Sequence, residues 1–348
     1  MRKMLITGGA GFIGVNAVRF FAAHDWDVTI FDNFSRRGTE YNMERLNADM
    51  PGRVRVVRGD VRTDSAKLRE LAEQHDAILH LAAQVAVTTS VTDPRNDFEC
   101  NALGTFNVLE AVRLSERRPF LLYSSTNKVY GGLENIPVAE EESRYVFAEG
   151  LQGVPETQQL DFHSPYGCSK GAADQYVRDY ARLYDMKTVV FRQSCIYGPH
   201  QLGVEDQGWV AWFLIAGIFG RPVQIYGNGK QVRDLLYVDD LIACYHQAIE
   251  HADTVAGKVY NLGGGHENTL SLLEFLDLIK QEHGLDLPYS FAGTRPGDQP
   301  IFISDNSAAA RDLGWRPATD VRSGIARLVE WLQAHKKDLQ QFYASSGK

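Results

Sequence analysis

Tyr166 and Lys170 form a Y-x-x-x-K pair, and this spacing suits acid–base chemistry. Residues four apart lie on the same face of a helix, which would bring the lysine ammonium close to the phenol. Such a positive charge favours the phenolate and is expected to lower the pKa of Tyr166. The pair is therefore a candidate catalytic acid–base, with a solvated surface pair as the alternative interpretation of the spacing alone.

A run of hydroxyl side chains, Ser124 to Thr126, directly follows the apolar segment Phe120–Tyr123. The segment has the composition of a buried strand, and in open α/β sheets ligands bind beyond the carboxyl ends of the parallel strands. We therefore expect these hydroxyl side chains to face a ligand.

Gly8, Gly11 and Gly14 form a G-x-x-G-x-x-G pattern between a strand-like segment, Lys3–Thr7, and a helix-like segment, Val15–Ala23. Side chains at these positions would obstruct the turn, and the free N–H groups at a helix N-terminus bind phosphates. The pattern predicts a pyrophosphate-binding loop, with a tight strand–helix turn as the purely structural alternative.

The second strand-like segment ends at Asp32, at the separation from the glycine loop expected of a ribose-binding carboxylate. A carboxylate accepts hydrogen bonds from a ribose diol and repels a 2′-phosphate, which favours NAD over NADP. Arg36 and Arg37 lie a few residues further on and leave NADP open as an alternative. NAD is the predicted cofactor.

Short apolar segments alternate with helical patterns through the first half of the chain, and this rhythm predicts a parallel sheet covered on both faces. The strand-like segments are Lys3–Thr7, Asp27–Phe31, Val54–Val57, Ala77–Leu81, Phe120–Tyr123 and Thr188–Phe191. The helix-like segments are Val15–Ala23, Phe98–Leu114, about Pro165–Tyr184, Val238–Glu250, Ser271–His283, Ser307–Leu313 and Val321–His335. The predicted fold class is α/β, a Rossmann-type doubly wound parallel sheet with a smaller mixed C-terminal substrate lobe. We expect residues 1–192 plus about 234–262 to bind NAD, and about 193–233 and 263–348 to bind the substrate.

The net charge of −8 argues against a general nucleic-acid or anionic-membrane binder. The ten histidines show no metal-ligand spacing, so no metal is expected. The four cysteines form no C-x-x-C pair, which indicates free thiols in a reducing compartment. No stretch is long and apolar enough to span a membrane, and we predict a cytoplasmic protein.

The motifs TGGAGFIG, DNFSRRG, GDV, HLAAQ, SSTNKVYG, SPYGCSK, YGNGKQVRD and RPGDQ follow one another along nearly the whole chain. With them the sequence resembles the extended short-chain dehydrogenase/reductase family, which includes NAD-dependent epimerases and dehydratases of nucleotide-sugars. The resemblance implies Thr126 at the active-site Ser/Thr position, Tyr166 as the acid–base, and Lys170 as the residue that holds the nicotinamide ribose. We further expect a homodimer or homotetramer.

The expected cofactor contacts combine the glycine loop, the ends of the following strands and positions implied by the resemblance. They are Gly8, Gly11, Phe12, Ile13, Gly14, Asp32, Asn33, Ser35, Arg36, Asp60, Val61, Leu81, Ala82, Ala83, Gln84, Asn101, Ser124, Tyr166, Lys170 and Ser194.

The expected substrate contacts rest mainly on the resemblance. Arg233 and Arg295 fall where the family's enzymes hold the diphosphate, a task that suits the bidentate guanidinium, although either arginine could form a surface ion pair instead. The other candidates are Thr88, Asn127, His163, Ser164, Gln207 and Asp298. For His163 a structural role before Pro165 is an equal alternative.

The residues after Thr126 bear on the reaction. Sugar 4,6-dehydratases of the family carry an Asp-Glu pair there, whereas this chain has Asn127 and Lys128, and an Asn cannot exchange a proton. The stretch from Gln159 to Tyr176, with STNKVYGG, VAVTTS and DQGWV, resembles the family's CDP-sugar 2-epimerases.

We therefore expect NAD-dependent epimerisation at C2 of a nucleotide-sugar, with CDP as the expected nucleotide, through a transient 2-keto sugar. The alternatives are a nucleotide-sugar 4-epimerase, decarboxylase or reductase of the same family. A further alternative is a non-enzymatic NAD-sensing regulator, although such proteins tend to lack the Tyr/Lys pair.

Overall fold

The computed structural model describes residues 1–294 and 298–344. Its centre is a parallel sheet of seven strands in the order β13-β8-β5-β4-β1-β2-β3. The strands in chain order are β1 (Arg2–Thr7), β2 (Trp26–Asp32), β3 (Val54–Arg58), β4 (Ala77–His80), β5 (Phe120–Thr126), β6 (Val138–Glu140), β7 (Tyr145–Phe147), β8 (Thr188–Gln193), β9 (Ile196–Tyr197), β10 (Val223–Tyr226), β11 (Val232–Asp234), β12 (Leu236–Tyr237), β13 (Lys258–Leu262), β14 (Thr269–Ser271), β15 (Tyr289–Ala292) and β16 (Ile301–Phe302). The strand order reverses between β1 and β4, which is the doubly wound arrangement that the sequence predicts.

Helices cover both faces of this sheet. In chain order the α-helices are α1 (Phe12–Ala23), α2 (Thr39–Asp49), α3 (Ser65–Gln74), α4 (Val87–Thr92), α5 (Pro94–Phe98), α6 (Gly104–Arg113), α7 (Ser164–Tyr184), α8 (Trp209–Ile218), α9 (Val238–Glu250), α10 (Ala252–Val255), α11 (Leu272–His283), α12 (Ser307–Leu313), α13 (Val321–Ala334) and α14 (Lys336–Ala344). Because helices shield both faces, the inner strands are buried throughout, as at β4 and β8.

The segment predicted as one helix, from Phe98 to Leu114, is interrupted by a turn of π-helix at Glu99–Leu103. Asn101 lies in this π-helical turn. Its side-chain amide accepts from the Gln84 N–H and donates to the Gln84 carbonyl, both at 3.0 Å. Single π turns of this kind interrupt α-helices mostly at functional sites. Here the turn ties the end of β4 to the neighbouring helix.

The second half of the chain builds smaller sheets around its own core. The pairs are β10 with β15, β9 with β12 and β6 with β7, and a three-stranded sheet has the order β14-β11-β16. Helices α8, α11 and α13 bury Leu214, Phe275 and Ile325 in this second core. Within residues 1–294 and 298–344, no helix combines the length and apolar character needed to cross a membrane.

Candidate active site

The glycine loop joins β1 to α1 and shapes one wall of a deep cavity. Gly8 has a φ of +71°, and a Cβ there would come within 2.7 Å of the Ala82 nitrogen. The first turn of α1 carries no acidic side chain and no side-chain cap, so its N–H groups remain available for an anionic ligand. The loop therefore fits the pyrophosphate of a dinucleotide.

Asp32 ends β2 beside this loop, and backbone groups fix its carboxylate. One oxygen accepts from the Ala10 N–H at 3.0 Å and the other from the Phe34 N–H at 2.8 Å. Burial raises the pKa of Asp32, while these hydrogen bonds and the charge of Arg58 oppose that shift. Each oxygen retains a lone pair that could accept from a ribose hydroxyl, so this pair of acceptors fits the ribose diol of NAD.

The cavity brings together most of the predicted cofactor contacts. Its lining includes Gly8, Gly11, Phe12, Ile13, Gly14, Asp32, Asn33, Ser35, Arg36, Asp60, Val61, Leu81, Ala82, Ala83, Ser124, Tyr166 and Lys170. Gln84, Asn101 and Ser194 are not part of this lining. Gln84 and Asn101 bond to each other, and the Ser194 N–H donates to Leu262 across the sheet.

Tyr166 and Lys170 lie near the N-terminus of α7, with Pro165 in its first turn. Both side chains are buried, with 8% and 4% of their surfaces exposed. The expectation that Lys170 lowers the pKa of Tyr166 is wrong for the protein alone, because burial raises that pKa to about 12. Hydrogen bonding from Thr126 and the charge of Arg36 act against this rise. Added positive charge in the cofactor cavity would favour the phenolate.

Lys170 is held by its own set of contacts. Its ammonium donates to the Ser124 carbonyl oxygen and lies 4.3 Å from the centroid of the Tyr123 ring. Burial lowers the pKa of Lys170 to about 7, although the charges of Asp174 and Asp97 act in the opposite direction. The lysine therefore connects α7 to the end of β5.

A buried ion pair supports α7 from behind. Arg192 Nε and Nη2 each donate to Asp174 at 2.9 Å, and both side chains are almost fully shielded from solvent. Asp174 also accepts from the Ser125 hydroxyl at 2.9 Å, and Arg192 donates to the Tyr130 hydroxyl at 2.9 Å. These bonds fix α7 against β5 and β8, which sets the position of Tyr166 relative to Thr126.

A second cavity, which we call the substrate cavity, meets the cofactor cavity at Tyr166. Five predicted substrate residues line it, namely Thr88, Asn127, Gln207, Arg233 and Asp298, together with the catalytic candidate Thr126. Gln207 lines both cavities. Tyr166 can therefore exchange a proton with a ligand that lies directly beside a bound cofactor.

Lys128, Arg233 and Asp298 form a charged cluster in this substrate cavity. Arg233 Nη2 donates to Asp298 Oδ1 at 2.6 Å, and Lys128 Nζ lies 3.9 Å from the same oxygen. Burial, together with the neighbouring charge of Arg233, lowers the pKa of Lys128 to about 8. Two cationic groups thus converge on one carboxylate, an arrangement that would bind a diphosphate if Asp298 moved aside.

Two predicted substrate residues, His163 and Ser164, do not line this cavity. His163 is exposed and precedes α7, and the Ser164 hydroxyl accepts from the Gly167 N–H at 3.2 Å. Both residues therefore shape the start of α7. Arg295 lies outside the described residues.

The substrate cavity also contains residues that sequence reasoning missed. Gln224 and Tyr226 come from β10, Trp209 and Phe213 from α8, and Cys195 from the segment after β8. The Trp209 indole N–H points to the Cys195 sulfur at 3.4 Å. The apolar run of α8 and the alternation Val-Gln-Ile-Tyr in β10 were the available signals for these elements.

Three features together define an NAD-binding enzyme of acid–base and redox chemistry. They are the doubly wound parallel sheet, the glycine loop with its partner Asp32, and the buried Tyr/Lys pair beside a second cavity. The chain belongs to the NAD dependent epimerase/dehydratase family, whose sequence profile matches residues 4–263. The cofactor of this family is NAD.

Three relatives illustrate the similarity. CDP-paratose 2-epimerase of Salmonella typhi is 42% identical over 335 residues, which cover 94% of this chain and 98% of that protein. The crystal structure of UDP-glucose 4-epimerase from Thermotoga maritima, with UDP-glucose, is 28% identical with a TM-score of 0.80, covering 96% of this chain and 99% of the other. The dTDP-glucose 4,6-dehydratase of Streptomyces venezuelae, solved with NAD, is 26% identical with a TM-score of 0.79, covering 98% and 99%.

Proposed function

We propose that the enzyme inverts C2 of a CDP-linked sugar, as in the conversion of CDP-paratose to CDP-tyvelose. The observation that carries this proposal is the position of Tyr166, which lines both the cofactor and the substrate cavity. The choice of sugar rests on the 42% identity to CDP-paratose 2-epimerase, maintained over nearly the full length of both chains.

The chemistry requires one acid–base and one redox partner. When bound, NAD takes up the hydrogen of the sugar carbon with its electron pair and later returns it. Tyr166, as the phenolate, accepts the proton of the C2 hydroxyl and gives it back when the 2-keto sugar is reduced on its opposite face. Thr126 would hydrogen-bond the reacting oxygen, and Lys170, which also donates to the Ser124 carbonyl, would hold the nicotinamide ribose of a bound NAD.

Substrate binding is assigned to the charged cluster of Lys128, Arg233 and Asp298. Arg233 is expected to hold the diphosphate once it releases Asp298, and Lys128 adds a second positive charge to the same region. Thr88, Asn127 and Gln207 are left to contact the sugar. The 2-keto sugar must rotate while its diphosphate stays bound. We therefore expect the diphosphate to be held at the end of the substrate cavity that is remote from Tyr166.

The two residues after Thr126 argue against dehydration. Elimination of water needs a proton donor and a base beside the sugar, and the family's dehydratases supply both with an Asp-Glu pair. Asn127 cannot exchange a proton, and its amide is bonded to Gln299. Lys128 lies 3.9 Å from Asp298, and a lysine at this position supplies no second catalytic carboxylate.

We also propose the division into lobes that the sequence suggests. Residues 1–192 plus about 234–262 would bind NAD, and residues 193–233 and 263–348 would bind the nucleotide-sugar. Support comes from the central sheet, which takes its last strand from Lys258–Leu262, and from β10 and α8, which line the substrate cavity.

A homodimer is proposed through the outer faces of α5, α6 and α7. Phe98, Phe106, Tyr176 and Leu183 are large apolar side chains with 37% to 68% of their surfaces exposed. The Phe106 and Tyr176 rings lie 6.0 Å apart, so part of this surface is continuous. Light scattering should give twice the mass of one chain, and Tyr176→Lys should shift the measured mass towards that of the monomer.

A cytoplasmic location is also proposed. Four free cysteines support a reducing compartment such as the cytoplasm.

A panel of CDP-, UDP-, GDP- and dTDP-sugars, followed by NMR of the products, tests the assignment. We expect inversion at C2 of CDP-paratose without added cofactor. Inversion at C4 of a UDP-sugar, with no action on the CDP-sugars, would replace the proposal with a 4-epimerase. Loss of water or carbon dioxide from any substrate would indicate a dehydratase or a decarboxylase.

A further inference from the structure

Helix α14, the last helix of the chain, packs on the second core and reaches the outside of the cofactor cavity. Leu339 and Tyr343 anchor it in that core, with only 1% and 4% of their surfaces exposed. The helix lies behind the lining of the cavity, and its contacts go to two segments that do line it. We call these the Arg37 segment (residues 35–38) and the Leu202 segment (residues 200–203).

The two segments touch each other at Gly38, which has a φ of +94°. A Cβ at Gly38 would come within 2.6 Å of Leu202 Cδ1 and within 3.5 Å of Cζ of the Phe342 ring. The Phe342 side chain therefore lies directly behind the place where the segments meet. Since every residue of both segments lines the cofactor cavity, their contact closes one side of it.

Adjacent residues of α14 bond to the two segments. Arg37 Nη2 donates to the Phe342 backbone oxygen at 2.6 Å, and its guanidinium carbon lies 4.4 Å from the centroid of the Phe342 ring. The Tyr343 hydroxyl donates to the Gly203 carbonyl oxygen at 2.9 Å. One turn of helix thus holds the Arg37 segment and the Leu202 segment together.

These contacts differ in how readily water could replace them. Tyr343 and Gly203 are both buried, so loss of the hydroxyl would leave a buried carbonyl without its donor. Arg37 is exposed, but the stacked Phe342 ring adds a cation–π contact that water does not supply. A further ion pair from α14, between Asp338 and Arg45 at 2.8 Å, lies on the surface and should contribute little.

The closed side lies next to the expected position of the adenosine half of NAD. The Arg37 segment closely follows Asp32, whose carboxylate fits the ribose diol. Asn42 Nδ2 lies within hydrogen-bonding distance of both the Ala10 oxygen of the glycine loop, at 3.3 Å, and the His200 oxygen, at 3.4 Å. NAD that leaves on this side must therefore part the two segments, and the contacts of α14 oppose that movement.

We propose that Phe342 and Tyr343 are positioning residues, which keep the Arg37 and Leu202 segments together and thereby retain NAD between catalytic cycles. Phe342 acts through Arg37, and Tyr343 acts through Gly203. The inference rests on the proposed function only in that a closed redox cycle restores the cofactor and does not require its release. An enzyme that exchanged its cofactor after every turnover would be slowed by such a closure.

The rate of NAD release from the loaded enzyme tests this role without any sugar. Enzyme loaded with radiolabelled NAD is diluted into excess unlabelled NAD, and the label that remains on the protein is counted over time. Tyr343→Phe keeps the ring and removes only the hydroxyl. It should release NAD roughly 3- to 10-fold faster than the wild type, the scale of one hydrogen bond at a buried site.

Phe342→Leu should accelerate release to a similar extent, because the ring beside Arg37 is lost while an apolar side chain still packs behind Gly38. The double variant should release NAD faster than either single variant. A release rate equal to that of the wild type in either single variant would contradict the proposal.

Tyr260→Phe is the matched control for loss of a buried tyrosine hydroxyl. Tyr260 is 1% exposed, its hydroxyl donates to Asp312 at 3.0 Å, and it lines neither the cofactor nor the substrate cavity. Its variant should release NAD at the wild-type rate. Equal acceleration in Tyr260→Phe would reduce the effect of Tyr343 to general loosening of the fold and overturn its assigned role.

Phe342→Tyr restores an aromatic ring beside Arg37 and provides a rescue. Release should return close to the wild-type rate, and a Tyr variant as fast as Phe342→Leu would contradict the role of the ring. No sugar is present in any of these measurements. If CDP-sugars prove not to be substrates, the proposed function therefore fails, while the release rates still decide the role of α14.

Discussion

The ammonium of Lys170 donates to the carbonyl oxygen of Ser124, so the lysine of the Y-x-x-x-K pair is bonded to the C-terminal part of strand β5. This contact places α7 beside the strand that carries Thr126. Burial dominates the electrostatics of the pair, with the pKa of Tyr166 raised to about 12 and that of Lys170 lowered to about 7. A positive charge in the cofactor cavity would therefore favour ionisation of Tyr166.

Purified enzyme should contain NAD without any being added, because a cycle that restores the cofactor has no need to release it. Chromatography of the supernatant after heat release would identify it. Asp32→Ala should lower the NAD content, since the carboxylate suits the ribose diol, whereas Glu44→Ala on the outer face of α2 should not. Recovery of NADP alone would contradict the role of Asp32.

Tyr166→Phe should keep the fold and the bound NAD but lose activity by about 10²- to 10⁴-fold, the usual contribution of general acid–base catalysis. The ring remains and only the hydroxyl is removed. Single-turnover measurements with the nucleotide-sugar would report the loss directly. Near-normal turnover by this variant would exclude Tyr166 from the reaction.

Arg233→Ala should raise KM by roughly 10- to 100-fold, because a charge-assisted contact to the diphosphate is lost. Arg233→Lys should reverse only part of this rise in KM, since an ammonium cannot bind a diphosphate in a bidentate manner. Arg144→Ala, which removes the partner of Glu274 outside the cavity, is the control. Initial rates over a range of substrate concentrations separate KM from kcat. An unchanged KM in Arg233→Ala would place the diphosphate elsewhere.

His80 should make the protein sensitive to acid. The ring is buried between Thr7, at 2.7 Å from Nδ1, and Thr105, at 3.1 Å from Nε2. Burial, and then the charge of Lys170, lowers the pKa of His80 to about 3, against about 6.5 in the unfolded chain. Between these values the unfolded state binds the additional proton, so stability present at pH 7 is lost as pH falls.

His80→Gln should therefore lose less unfolding free energy than the wild type between pH 6 and pH 4. The difference between the two proteins should be up to about 1.4 kcal/mol per pH unit. Urea unfolding at both pH values would measure it. His266→Gln, at an exposed site, serves as the control and should behave as the wild type. Equal acid sensitivity of His80→Gln and the wild type would mean that His80 is already charged in the folded protein.

Local signals predicted several parts of the fold in both halves of the chain. The glycine loop, Asp32 and the buried strands have short-range patterns, and α9 and α12 begin and end where their periodicity predicts. Helices α2 and α3 were missed, because their sequences are polar and few side chains reach the core, such as Leu46 and Leu68.

Features that depend on contacts between distant segments could not be predicted. The pKa of Tyr166 follows from burial that only the packed structure shows. The bond from Asn127 to Gln299 joins residues 172 positions apart, and no local pattern marks it. The same holds for the pair of Arg233 and Asp298, which β11 and the segment before β16 bring together.

Two routes could invert C2, and they differ in the source of the hydrogen. Direct oxidation needs only Tyr166 as acid–base. Oxidation of a neighbouring hydroxyl would give a ketone that acidifies the C2 hydrogen, and a further base would then be needed. Three side chains near Thr126 or Tyr166 in sequence could be considered as that base, namely Asn127, Lys128 and His163. Asn127 cannot exchange a proton and His163 is exposed and outside the cavity lining, so Lys128 is the remaining candidate of the three. Its position beside Asp298 argues for a role in binding.

The reaction run in D₂O is the most direct test of direct oxidation at C2. Product NMR and mass spectrometry should show no deuterium at C2. Substrate deuterated at C2 should keep its label through the inversion, and should react more slowly if breaking of that bond limits the rate. Incorporation of one solvent deuterium at C2 per turnover would contradict direct oxidation and would assign proton abstraction to a second base, such as Lys128.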